Sequence, residues 1–210
     1  VLLLTLSQAF FEFTGSGLEY PLAYFLLAAA VLLYCRNRWM EDRRWIALST
    51  GLILVTRHDL LFLLLPILAH LAWYFYRSTA TRKDIIGTLC IFLAPLTLWT
   101  LFSLFYYGFP FPNTAYAKLA IPGLPVIDRF IRGYIYFTVS LKFDPITPAL
   151  LLLAIIKGLS ASEVRYKILG ISVLTTLLYV TSIGGDYMIG RFYAPVCLVS
   201  ILTLVMTPWN

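Results

Sequence analysis

The chain has 210 residues, enough for one or two soluble domains, but 60% of them are apolar and only 12% charged. Soluble domains run at roughly 45–50% and about 25%. With a mean hydropathy of +0.85, the sequence lacks the polar surface a water-soluble globule needs and reads as an all-α, polytopic membrane protein.

The chain opens on Val1 inside an apolar run, with no initiator Met and no basic region ahead of it. That start does not read as a signal peptide. It reads as a fragment of a longer protein, with residues 1–210 forming one transmembrane domain. Crossing about 30 Å of hydrocarbon takes about 20 helical residues. The apolar runs are 1–13, 18–35, 45–56, 60–76, 85–107, 145–157, 167–183 and 192–208. They predict about eight apolar helices, of which only 85–107 is a generous full span.

Runs 45–56 and 60–76 are short and are separated by Arg57, His58 and Asp59. Sidedness decides whether they are one charged span or two helices. Short loops rich in Lys and Arg stay cytoplasmic. Loops 36–44, 77–84 and 157–167 hold ten of the sixteen basic residues and four of the ten acids. If the first two share the cytoplasmic side, residues 45–76 go out and return. A short, re-entrant-like hairpin then carries Arg57–Asp59 at its outer tip. The remaining six basic and six acidic residues fall outside and cancel. The net charge of +6 is therefore a topology signal, not a nucleic-acid footprint. It points to a multi-pass protein of the cytoplasmic membrane with its working face outside.

The one long connection, 108–144, is extracytoplasmic and rich in Pro and aromatics. Within it, residues 126–141 alternate charged and aromatic residues at helical spacing, as a helix lying in the interface would. Cys35, Cys90 and Cys197 show no CxxC or Cys/His spacing, so neither a metal nor redox work is expected. His70 reads as a packing residue. Trp39, Trp45, Trp73, Trp99 and Trp209 read as interfacial anchors.

Charges close to the hydrocarbon mark function. Four polar strings share the outer side: 13–21 with Glu19, 55–61 with Arg57 and Asp59, 106–118 with Asn113, Tyr116 and Lys118, and 184–195 with Asp186 and Arg191. The cations Arg57, Arg191 and Lys118 suit a phosphate at the membrane surface. The aromatics, Asn113 and the carboxylates suit sugar hydroxyls. A lipid phosphate carrying a sugar meets both demands. The blander alternative is local pairing of Arg57 with Asp59 and of Arg191 with Asp186, and a helix-end role for Glu19.

In order, GSGLEYPL (15–22), TRHDLLFLLLP (56–66), YYGFPFPNTAYAK (106–118) and GGDYMIGRFYAP (184–195) resemble bacterial GT-C membrane glycosyltransferases. The likeness is to the mycobacterial terminal arabinofuranosyltransferase and its bacterial relatives. PNTAYAK and GGDYMIGRFYAP are its specific parts. The hairpin departs from the family in having His58 where Pro is frequent and Leu60 where Gly is common. The resemblance implies a GT-C-type helix bundle. It also implies transfer of a sugar, arabinofuranosyl among the candidates, from a polyprenyl-phosphate donor to an extracytoplasmic glycan or lipid-linked acceptor. No cofactor is implied, in keeping with the lack of a P-loop or GxGxxG turn. Arg57 and Arg191, with Lys118, would bind the donor phosphate. Glu19, Asp59, Asn113, Tyr116 and Asp186 would orient sugars or the outer loop. The family's catalytic aspartate belongs to the first outer loop, expected upstream of Val1, so no residue here inherits it. Two other classes share the cationic lipid-phosphate site: a lipid-linked-sugar transporter or flippase, and a non-catalytic membrane subunit. Neither paired broken helices nor two related halves are seen, which a transporter would favour.

Overall fold

The computed structural model describes residues 2–110 and 125–208. Among these there are helices and turns but no strand. Ten α-helices follow in order: α1 (Leu2–Leu6), α2 (Gln8–Thr14), α3 (Tyr20–Cys35), α4 (Trp39–Thr56), α5 (Leu61–Arg77), α6 (Arg82–Tyr107), α7 (Val126–Phe143), α8 (Ile146–Leu159), α9 (Val164–Ile183) and α10 (Tyr193–Met206). A single 3-10 turn, His58–Leu60, joins α4 to α5. Three helical stretches are long and apolar enough to cross a membrane: His58–Arg77, Arg82–Tyr107 and Val164–Ile183. The bent pair α7–α8, which turns by 113°, adds a fourth if it counts as one span.

Apolar run 1–13 does not form one helix. It breaks at Ser7, whose hydroxyl accepts from the Phe10 amide and caps α2. The same hydroxyl lies 2.6 Å from Thr147 Oγ1, 140 positions away. Capping and a distant partner together stop α1 after five residues. The 45–56 and 60–76 hairpin is present, but its two arms part company. Helix α4 packs against α3 and α6, whereas α5 packs against α9. The helix expected over 126–141 is present as α7, Val126–Phe143.

Helix α10 is the centre of the bundle. From Tyr193 to Ile201 all its residues are buried, against α8, α3, α9 and α2. Small residues set the closest approaches, as they do where lipid supplies no hydrophobic drive between helices. A Cβ on Gly158 of α8 would come within 2.8 Å of Gly170 Cα on α9. Helix α6 is different in kind. Its main partner is α4, and none of its most apolar window is buried.

Two polar ends result. Arg43 pairs with Asp84, joining loops 36–44 and 77–84. Arg165 donates to the Cys35 carbonyl, bringing loop 157–167 to the same end. The three basic loops therefore gather at one end of the bundle. Tyr20, Arg57 and Gly184 stand at the opposite ends of the helices those loops begin or close. His70 packs as expected, with Nδ1 2.7 Å from Tyr34 Oη and its ring edge-on to Trp39. Trp39 is not an interfacial anchor. It is buried, stacks on Tyr34 and donates to that residue's carbonyl.

Candidate functional site

The end opposite the basic loops is assembled from three chain turns. The first closes the hairpin. Arg57 leaves α4 in an extended conformation, φ −150°, ψ 105°, and Asp59 enters the 3-10 turn that starts α5. No positive φ is needed at His58 or Leu60, so the turn forms without the Pro and Gly of similar hairpins. The Asp59 carboxylate sits where the first-turn amides of α5 favour negative charge.

The second turn follows α9. Gly184 and Gly185 both adopt left-handed φ, 87° and 72°. Their amides return to the carbonyls of Thr181 and Val180, closing a Schellman motif. Gly185 is restricted twice over, since a Cβ there would lie 2.4 Å from Tyr136 Cγ. The chain then runs through Asp186, whose carboxylate accepts from the Tyr187 amide at 2.8 Å and from Arg191 Nη1 at 3.1 Å. The Tyr136 hydroxyl donates to the Met188 carbonyl at 3.2 Å and accepts from the Phe192 amide at 3.4 Å. The loop is thereby lashed down at both ends.

The third turn precedes α3. Glu19 occupies the N-cap position yet makes no capping bond. Instead its Oε1 lies 3.7 Å from Arg57 Nη1. Tyr20, fully buried, joins the other two turns. Its ring carries the Arg57 guanidinium at 4.3 Å, and its hydroxyl donates to the Arg191 carbonyl at 3.0 Å.

Five of the eight sequence-level candidates thus meet here: Glu19, Arg57, Asp59, Asp186 and Arg191. Asn113, Tyr116 and Lys118 lie outside the described residues. Both local ion pairs are present, Arg57 binding Asp59 through two bonds of 2.7 and 3.1 Å. The pairing is incomplete, however. Arg57 Nη1 and Arg191 Nε are buried and have no hydrogen-bond partner among the described residues. Burial works against the Arg57 charge, but the Asp59 carboxylate outweighs it and holds the guanidinium pKa above its ordinary value. Arg191 is likewise raised against burial, by Tyr20 and Asp186, while the Arg57 charge pulls it down. The two cations are therefore close enough to repel each other. Such a site can accept an anion whose oxygens reach the unfilled N–H edges.

Sequence reasoning missed Tyr20, Tyr136 and Asp144. Tyr20 lies inside the LEYP string, yet nothing in the string says that its ring underlies Arg57. Asp144 is buried and accepts from the Ala9 amide at 2.9 Å, the Thr147 amide at 3.1 Å and the Thr147 hydroxyl at 2.6 Å. It ties α2 to α8, and no local pattern reveals that. Among the described residues, no group of three or more His, Cys, Asp or Glu side chains could hold a metal ion. Comparison with family models, with curated proteins and with solved structures gives no match to this chain.

Proposed function

We propose that this chain is the core of an integral-membrane glycosyltransferase of the GT-C type. It takes a sugar, arabinofuranosyl among the candidates, from a polyprenyl-phosphate donor. The acceptor is a glycan or lipid-linked sugar on the extracytoplasmic side of the cytoplasmic membrane. The observation that carries this reading is the pair of arginines around Tyr20, each bound along one edge by its own aspartate, with Arg57 Nη1 held only by the longer 3.7 Å ion pair to Glu19 and Arg191 Nε making no hydrogen bond among the described residues. A lipid phosphate brings the acceptor oxygens that those groups lack. Helices apolar enough to cross a bilayer and the separation of basic loops from this end agree with a donor that is itself a lipid.

In the reaction, the acceptor hydroxyl gives its proton to a carboxylate base expected outside these 210 residues. Its oxygen bonds to the anomeric carbon while the bond to the phosphate oxygen breaks. The electron pair leaves with the polyprenyl phosphate, and the anomeric centre inverts. Negative charge grows on the departing phosphate, so guanidiniums already held there lower the barrier. Asp59 and Asp186 fix the two forks, and Lys118 adds a third cation.

Transfer from radiolabelled polyprenyl-phosphate sugars, measured with the full-length protein in nanodiscs, tests this reading. Arg57→Ala and Arg191→Ala should each lower the rate by about 100-fold or more while the protein stays folded. Arg57→Lys should restore only part of it, since a point charge cannot reproduce the fork. Near-normal turnover by both folded alanine variants would sink the assignment.

A further inference from the structure

A different boundary between charge and hydrocarbon lies at the basic end, away from the arginine pair. Helices α5 and α6 are joined by only four residues, 78–81. They nevertheless take different partners, α5 packing on α9 and α6 on α4. Between them, with α4 as its floor, opens a cleft of about 390 Å³. That lies within the roughly 300–1,000 Å³ spanned by small-molecule sites.

The interior of the cleft suits a hydrocarbon. Ile46, Leu68, Leu71, Phe75, Leu89 and Phe92 line it. The hydroxyls of its two threonines turn into their own helices, Thr50 donating to the Ile46 carbonyl and Thr88 to the Asp84 carbonyl, both at 2.7 Å. Arg43 and Asp84 also line the cleft, but they bind each other. A polar occupant would find its hydrogen bonds unmade there.

The rim carries the opposite chemistry. The acids of this end are Glu41, Asp42, Asp84 and Glu163, and each is taken by an arginine: Arg38, Arg36, Arg43 and Arg165. Cations are left over on the three segments that frame the cleft. Arg44 follows Arg43 on α4, Arg77 closes α5, and Arg82 and Lys83 open α6. All four are exposed, and none pairs with a carboxylate among the described residues. The Arg77 guanidinium rests on the Trp73 ring at 4.4 Å, which leaves Arg44, Arg82 and Lys83 uncommitted. A hydrocarbon-lined cleft beneath an excess of positive charge complements a lipid with an anionic head.

We propose that the cleft between α4, α5 and α6 holds one acyl chain of an anionic phospholipid, whose phosphate lies among Arg44, Arg82 and Lys83. This lipid is a bound component of the fold and is not consumed. The proposal is independent of the glycosyltransferase reading, since the cleft opens at the end opposite Arg57 and Arg191.

Native mass spectrometry of the delipidated full-length protein tests it, by titration in detergent with phosphatidylglycerol and with phosphatidylcholine of the same chains. One phosphatidylglycerol should bind at least about 10-fold more tightly than phosphatidylcholine, and Arg82→Gln and Lys83→Gln should each weaken it about 5-fold. Ala72→Trp fills the cleft from an exposed lining position and leaves every cation in place. It should abolish binding of that lipid. Phosphatidylglycerol should raise the melting temperature of the parent and leave that of Ala72→Trp unmoved. Equal affinity for the two lipids, or unaltered phosphatidylglycerol binding in Ala72→Trp or in both charge variants, overturns the proposal. Displacement of the bound phosphatidylglycerol by equimolar polyprenyl phosphate overturns it too, since the cleft would then hold the chain of a donor lipid. Failure of the phosphate clamp would appear separately, in the transfer rates of the Arg57 and Arg191 variants.

Discussion

Tyr20 holds the three turns of the site together, and its two contacts can be removed one at a time. Tyr20→Phe deletes the 3.0 Å bond to the Arg191 carbonyl and keeps the ring beneath Arg57. An acceptor left unsatisfied in a buried place costs about 1–3 kcal/mol. Tyr20→Leu also removes the ring contacts. The guanidinium at 4.3 Å contributes about 2 kcal/mol where water is excluded. The pairs with Phe13 at 4.9 Å and Tyr24 at 5.8 Å contribute about 0.5–1.5 kcal/mol each. These terms share partners and do not simply add, so Tyr20→Leu should lose roughly 2–4 kcal/mol beyond Tyr20→Phe. A domain of this size shifts its Tm by about 2–4 °C per kcal/mol. Melting in detergent, followed by intrinsic fluorescence, should place Tyr20→Phe about 2–12 °C below the parent. Tyr20→Leu should melt at least as far again below that. A Tyr20→Phe melt within a degree of the parent, or one equal to Tyr20→Leu, would refute the division of labour between hydroxyl and ring.

Three further outcomes are expected. Single cysteines at positions 57 and 186, in a Cys-free background, should react with an impermeant maleimide from one side of the membrane, and those at 43, 82 and 167 only from the other; joint labelling of 57 and 82 would overturn the two-ended arrangement. Gly184→Ala should cost about 1 kcal/mol for its left-handed backbone, because a Cβ there meets nothing nearer than 3.4 Å. Gly185→Ala, driven into Tyr136, should cost roughly 2–4 kcal/mol; equal losses by chemical denaturation would remove the packing argument. Glu19→Gln takes one carboxylate from beside Arg57 and should tighten polyprenyl-phosphate binding about 2- to 5-fold, whereas a weakening in titration calorimetry would mean that Glu19 organises the site.

What the sequence discloses follows from which forces act locally. The hairpin at Arg57 and the grouping of basic loops were legible, because charge and apolar run length report directly on the bilayer. The overlap of Arg57, Asp59, Asp186, Arg191 and Glu19 was legible for the same reason, as all belong to polar breaks at one end. The interruption at Ser7 was not. Residues 1–13 are apolar almost throughout, and the helix stops because Thr147 and Asp144 offer partners 140 and 135 positions away. Trp39 was misread because interfacial and buried tryptophans share the same flanking sequence, and only the Tyr34 ring and carbonyl distinguish them. That the buried Arg191 Nε makes no hydrogen bond among the described residues leaves no trace in sequence at all, since being unpartnered is a property of the surroundings.

Helix α6 is complete in itself. Thr81 and Asp84 form a reciprocal capping box at its start, and Gly108 closes its end with φ 75°. Its contact with the bundle runs chiefly through α4, where a Cβ on Gly51 would stand 2.4 Å from the Phe92 carbonyl oxygen. A helix whose backbone is satisfied and whose surface is lipid-compatible loses little when it separates from its neighbours. The close approach of α4 and α6 therefore depends on position 51 carrying no side chain. A bulky side chain there would leave α3, α5, α8, α9 and α10 assembled while α6 drifted away.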